Sequence, residues 1–332
     1  MAVGFSITIA CLAWAVRDVD WTEVGRQFSN ARYETIPLYL IALAAFYVLK
    51  AIRWKWILLP LKDVPARRAA GPMMIGFMGN NVLPARLGEL IRVFMLSRQE
   101  KIPAAAVFSS VAIERVLDLL AVLSLVGLGM ITVQNLPPVF VERFFYIGLV
   151  AIAMVVVLIL AVIWIERAVR LARWLIEHLP LGSELKHKLT ELVVAAAEGT
   201  GVLRRGRLLA LLMLNSFVQW SLNCVLILIS LWSFGVEVPF PATLILLGVL
   251  VFAVTIPTSP GFFGAIQVAF VETLKIFDVS ANAAFAASIY YHLLQYVVVT
   301  AIGFWYLGRS GFSLERLQDE AEHVDEEIEA TA

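Results

Sequence analysis

Six ionisable residues stand in two short clusters inside otherwise apolar sequence. Arg86, Glu89 and Arg92 follow one another at intervals of three, which puts all of them on one face of a helix. Glu114, Arg115 and Asp118 lie in the apolar run 104–131. A helix starting at Ala104 reaches position 114 after about 15 Å, near the centre of a hydrocarbon core roughly 30 Å thick. A bare charge there costs roughly 2.5–3.5 kcal/mol on insertion scales, so these side chains must face protein or water. Three positive and three negative groups read as a mutually neutralising network. It either pins one element to another, at little net gain in stability, or holds an anionic head group. For the second role the Arg fork suits phosphate, Asn80 and Asn81 supply amides beside it, and a helix N-terminus follows Pro84. Glu89, Glu114 and Asp118 are also candidates for proton coupling. A second polar cluster, Thr258 and Ser259, stands between Pro257 and Pro260.

Both clusters interrupt long apolar runs. The runs 70–96 and 240–277 break at Asn80, Asn81, Pro84 and Gly88, and at Pro257, Pro260, Gly261 and Gly264. From Ala70 to Pro84 a helix climbs only about 22 Å, too little to cross, so each run is expected to be a re-entrant hairpin. Irregular backbone at that depth requires protein or water to satisfy its amides, and the tips should line a cavity. Full spans are expected at 2–16, 36–59, 104–131, 144–165, 207–232 and 283–307. Basic residues gather at 62–68, 98–101 and 167–207, which assigns those segments and both termini to the cytoplasm. The hairpins then enter from opposite faces, an inverted repeat of halves 36–131 and 207–307.

Composition agrees: 61% of the 332 residues are hydrophobic and 16% charged, with mean hydropathy +0.85, far from a soluble domain. The expected fold class is an all-α polytopic membrane protein, one domain over 1–312 with an acidic cytoplasmic tail over 313–332. Zero net charge and the lack of a recognition motif exclude nucleic acid as a partner. No metal or cofactor motif is present, and Cys11 and Cys224 read as apolar core. Residues 1–16 read as a retained helix, lacking the basic leader of a secretory signal. Lys50, Arg53, Trp54, Lys55 and Trp56 read as an interfacial anchor. Tyr290, Tyr291, His292 and Gln295 read as hydrogen-bonded structure, and Arg167, Arg170 and Arg173 as positive-inside anchoring with anionic lipid as the alternative. The tail offers a surface for a protein partner or a solvated helix.

Three blocks resemble a known family. N-x-x-x-P-A-R-x-G-E over Asn80–Glu89, E-R-x-x-D over Glu114–Asp118 and P-T-S-P-G-x-x-G over Pro257–Gly264 are similar to the flippase-like lysylphosphatidylglycerol synthase transmembrane family, also called UPF0104. The resemblance runs from Arg53-Trp54 to Tyr291-His292. It implies a multi-pass cell-membrane protein akin to the domain that moves aminoacylated phosphatidylglycerol between leaflets. Phe262 and Gln267 stand where the family often has a second glycine and an acid. The soluble aminoacyl-transferase domain of the two-part proteins is expected to be absent, and no Gly-rich Lys-Ser/Thr loop marks an ATPase. The expectation is therefore a non-enzymatic translocase of an anionic, aminoacylated or polyprenyl-phosphate-type lipid. The alternatives are an accessory scaffold of a cell-envelope lipid enzyme, and a lipid-phosphate transferase with Asp18 and Asp20 as metal ligands.

Overall fold

The computed structural model describes residues 2–83, 87–133, 164–179, 182–255 and 260–312, with scattered short stretches between 136 and 156. No strand occurs among the described residues. Helices stand at five of the expected spans, α1 (Ala2–Val16), α3 (Ile36–Leu58), α6 (Ala104–Thr132), α9 (Gly206–Ser233) and α12 (Ala281–Ser310), with a short α2 (Trp21–Ser29) after the first. Of these, α3, α9 and α12 are long and apolar enough to cross a membrane. The interrupted runs appear as two helix pairs, α4 (Ala66–Val82) with α5 (Gly88–Glu100) and α10 (Phe240–Thr255) with α11 (Ala265–Leu274). Two helices, α7 (Ile165–His178) and α8 (Ser183–Gly199), fill the polar connection. The expected span 144–165 lies largely outside the described residues, and the tail 313–332 wholly so.

Boundaries follow local chemistry. Asp20 caps α2 by accepting from the Thr22 and Glu23 amides, and Ser280 caps α12 through the Ala283 amide. Lys101 at φ 55° and Gly311 at φ 74° end α5 and α12 in the left-handed conformation common at helix C-termini.

Hydrogen bonds fix the direction of the two long central helices. Thr35, at the start of α3, bonds Ser233 at the end of α9 (2.6 Å), while Arg53, near the end of α3, donates to Ser216 in the first half of α9 (2.7 Å). The helices are antiparallel. The first hairpin follows the end of α3 and the second follows the end of α9, so the two enter the bundle from opposite ends. Their limbs, 17 and 13 residues in one and 16 and 10 in the other, rise about 15–26 Å at 1.5 Å per residue, short of the roughly 30 Å core.

By length and composition Pro260–Phe277 would itself qualify as a span. Its backbone is broken, however, by positive φ at Gly261, Phe262 and Gly264, and the α-helical part covers Ala265–Leu274 alone. Glycine lets the limbs of the first hairpin touch: a Cβ on Gly76 would lie 2.6 Å from the Gly88 carbonyl, and one on Gly79 would lie 2.9 Å from Gly88 Cα. The first helix belongs to the same packing unit, since a Cβ on Gly264 would meet Cys11 Cβ at 2.9 Å and the Trp14 indole donates to Glu272 (2.7 Å). On the outside, Ile41, Val48, Leu128, Leu214, Val297 and Phe304 are exposed, an apolar belt suited to acyl chains.

Candidate functional site

Two adjoining features occupy the middle of the bundle, a buried ionic cluster and a cavity. The cluster is centred on Glu114 and Asp118, neighbours on one face of α6. Glu114 is approached by Arg92 (3.1 Å), Arg53 (3.2 Å), Lys50 (3.5 Å) and Arg115 (3.5 Å). Asp118 is approached by Arg53 (2.7 Å), Lys50 (3.5 Å) and Arg115 (3.9 Å), and accepts from the Trp220 indole (2.8 Å). Among the described residues Glu89 pairs with Arg115 alone (3.8 Å), and both are partly exposed. Among the described residues, four cations thus face three carboxylates. Aromatic rings take up part of the surplus. The Lys50 ammonium lies 5.4–5.8 Å from the rings of Phe46, Trp220 and Phe77, and the Arg92 guanidinium 5.1 Å from Trp54, distances at which cation–π attraction acts. Arg92 is 1% exposed, yet no guanidinium nitrogen has an aligned hydrogen bond among the described residues. Its contact with Glu114 is an ion pair only.

One helical turn further toward the start of α3 the aromatic rings form a floor, and above it lies a cavity of about 220 Å³. Tyr47 on its wall is about 16 Å along α3, half-way through the span. Asn80 and Asn81 bring the first hairpin's tip to it, and Phe262 and Ile266 the second's. Asn223 and Trp220 of α9 and Tyr291, His292, Gln295 and Tyr296 of α12 complete the polar lining. Each tip is anchored to α12 by defined bonds: Asn81 donates to Thr300 (2.9 Å), and the Tyr296 hydroxyl reaches the Asn81 carbonyl (3.5 Å). On the other side His292 Nε2 lies 2.7 Å from the Gly261 carbonyl and so donates to it. That leaves Nδ1 as acceptor from Gln267 (3.2 Å), while Gln267 Oε1 accepts from the Gly264 amide (2.8 Å). An apolar groove of about 560 Å³ between α3, α4 and α12 opens on the outer surface, and Tyr47 lines both it and the cavity.

The sequence-predicted residues separate between these features. Asn80 and Asn81 line the cavity, Arg92, Glu114 and Asp118 lie in the cluster, and Glu89 and Arg115 flank it at the surface. Pro84, Arg86, Pro257, Thr258 and Ser259 lie outside the described residues. Three expectations change. Lys50, Arg53 and Trp54 are not an interfacial anchor: Arg53 and Trp54 are wholly buried and Lys50 nearly so, drawn inward by the carboxylates of α6. With those two cations added, the cluster is not a neutral set of three against three. The Asp18–Asp20 pair is engaged locally, Asp18 with Arg17 (3.1 Å) and Asp20 as the α2 cap, whose amide bonds hold its carboxyl below the usual range. No three potential metal ligands cluster among the described residues. The missed lining residues Phe46, Tyr47, Phe77, Trp220 and Asn223 carry ordinary span composition. The one signal available was Lys50 and Arg53 at a spacing of three, matching Glu114 and Asp118 at four on another span.

Comparison with known proteins follows the same outline. The family profile described as "Lysylphosphatidylglycerol synthase TM region" matches residues 1–303. The protein named Glycosyltransferase AglD of Haloferax volcanii is 27% identical over 91% of this chain and 53% of its own length. A UPF0104 membrane protein of Methanothermobacter thermautotrophicus is 22% identical over 91% of this chain and 90% of its own, and one of Methanocaldococcus jannaschii is 25% identical over 68% and 90%. The chain spans about half the length of the glycosyltransferase. That relative overturns the expectation of a non-enzyme, because a protein alignable over nearly all of this chain carries an enzyme's name. No solved structure matches.

Proposed function

The chain belongs to the lysylphosphatidylglycerol synthase transmembrane family, and from that premise we propose that it moves the polar head of a phosphate-bearing lipid between leaflets while the tails stay in the bilayer. One observation carries this reading. The tips of two hairpins, entering from opposite ends, flank a polar cavity at mid-depth, with a cation-rich cluster one turn away. A cavity between opposed half-depth elements can open to either side by rocking of one hairpin, the geometry of alternating access. The surplus cations favour a phosphate, and the Arg92 guanidinium has donors to spare. The adjoining apolar groove, separated from the cavity by Tyr47, offers the tail a path outside. The residues proposed to serve the head group are Asn80, Asn81, Arg92 and Arg115, with Lys50, Arg53, Glu114 and Asp118 positioning them.

The test uses sealed vesicles containing the purified protein and fluorescent phospholipid, with a membrane-impermeant quencher added outside. Quenching beyond the outer-leaflet fraction, lost in Arg92→Gln, supports translocation; quenching that stops at that fraction for every phosphate-bearing lipid overturns it. The AglD name favours a second reading, a membrane portion of a glycosyl-transfer system. Chemical change of the lipid in the same vesicles, read by mass, is its signature.

A further inference from the structure

The chemistry of the cavity wall selects among phosphate-bearing lipids. Among the described lining residues there is no Asp, Glu, Lys or Arg. A lysyl or other aminoacyl head carries an ammonium, and this wall offers it ring faces and amide oxygens but no carboxylate among the described residues. Among the described residues the nearest carboxylates, Glu114 and Asp118, are already paired with four cations. Side-chain amides that can donate and accept, Asn80, Asn81, Asn223 and Gln295, line the cavity instead, beside aromatic rings including Phe77 and Trp220. Amides match vicinal hydroxyls two by two, and a ring face receives the C–H side of a sugar while excluding water. Asn81 Nδ2 donates to Thr300 and Asn223 Oδ1 accepts from the Tyr291 hydroxyl, which leaves the Asn81 Oδ1 acceptor and the Asn223 Nδ2 donor for a ligand. The volume of about 220 Å³ exceeds that of a cavity of about 150 Å³ that takes up benzene, so one sugar ring fits.

We infer that this cavity is a carbohydrate subsite, and that the lipid handled here bears an uncharged monosaccharide joined through phosphate to its tail. The inference rests on the lipid-translocation reading and narrows its substrate. The sugar occupies the amide and aromatic cavity, and the phosphate faces the cationic cluster. The chain recognises the sugar by hydrogen bonds and the phosphate by charge.

Binding is measured by calorimetry on the full chain in nanodiscs, with three probes: a short isoprenyl phosphate bearing one hexose, the same isoprenyl phosphate without sugar, and short-chain lysylphosphatidylglycerol. The hexose probe is expected to bind at least tenfold more tightly than either of the others. Asn223→Ala and Gln295→Ala are each expected to weaken it about tenfold, while the sugar-free probe binds them as it binds the parent, which shows that the fold is intact. Equal binding of the hexose and sugar-free probes, or preference for the lysyl lipid, overturns the inference. A loss that is the same for hexose and sugar-free probes in both variants overturns it too. The two readings fail separately: tight hexose binding with no crossing in vesicles removes translocation and keeps the subsite, whereas crossing of lysylphosphatidylglycerol but not of the hexose lipid does the reverse.

Discussion

At the residue scale, the ionic cluster divides into groups that hold the bundle and groups that the bundle holds at a cost. Arg53 contacts both Glu114 and Asp118 and donates to Ser216, so its removal strands two buried carboxylates with fewer partners, an effect on the order of 3–5 kcal/mol. Arg92 contacts Glu114 without an aligned hydrogen bond, and Glu114 keeps Lys50 and Arg53 when it is gone. Arg53→Gln is therefore expected to lower the thermal unfolding temperature in detergent sharply. Arg92→Met is expected to shift stability by no more than about 1 kcal/mol while abolishing lipid crossing. Equal destabilisation by both substitutions would assign Arg92 to scaffolding. The sequence made all of this cluster legible except Lys50 and Arg53. Charges at mid-depth in 104–131 had nowhere to go but inward, and Glu114 and Asp118 are there. Lys50 and Arg53 were misread because long cationic side chains near a span's end can reach water as easily as a partner. Only the opposing helix decides, and periodicity within one span does not name its neighbour.

At the scale of elements, the hairpins were the most readable feature, since Pro and Gly clusters inside apolar runs forbid an unbroken helix. The limb lengths fall below the core thickness as expected. What the runs of letters do not contain is how closely the limbs approach. Gly76, Gly79 and Gly88 form the contact between α4 and α5, and a side chain on Gly79 would press into Gly88 Cα and Ile91. Gly79→Leu is expected to pry the limbs apart and destabilise by about 1–3 kcal/mol or more, with Asn80 and Asn81 displaced from the cavity. Gly127→Leu, which meets nothing within 4 Å, is the control. Thermal unfolding of the two variants in detergent separates them, and equal curves would mean that the hairpin is not close-packed. The second hairpin shows a departure from the expected pattern with a structural outcome. Phe262, where the resemblance implies a glycine, adopts φ 61°, a left-handed conformation costing roughly 1–2 kcal/mol for a residue with a Cβ. Phe262 lines the cavity. Gln267, where the resemblance implies an acid, is tied to Gly264 and His292, which gives it a part in shaping the turn.

For the whole molecule, the opposed entry of the hairpins makes a statement about access that no single site can make. A cavity serving translocation must be reachable from both sides of the membrane in the course of one cycle, whereas a catalytic chamber needs one mouth. Asn81 lines the cavity on the first hairpin, and its neighbours on the wall come from α3, α9, the second hairpin and α12, so a probe there reports access from either side. The chain has only two cysteines, Cys11 and Cys224, and replacing both with Ser leaves a background free of thiols. In that background Asn81→Cys, in vesicles of defined protein orientation, is expected to react with a membrane-impermeant maleimide added from either side. A lipid substrate that biases the bundle to one state should raise labelling from one side and lower it from the other, because a ligand shifts an equilibrium only through its different affinity for the two states. Labelling confined to one side under every condition would place the family resemblance to Glycosyltransferase AglD above translocation as the guide to what this bundle does.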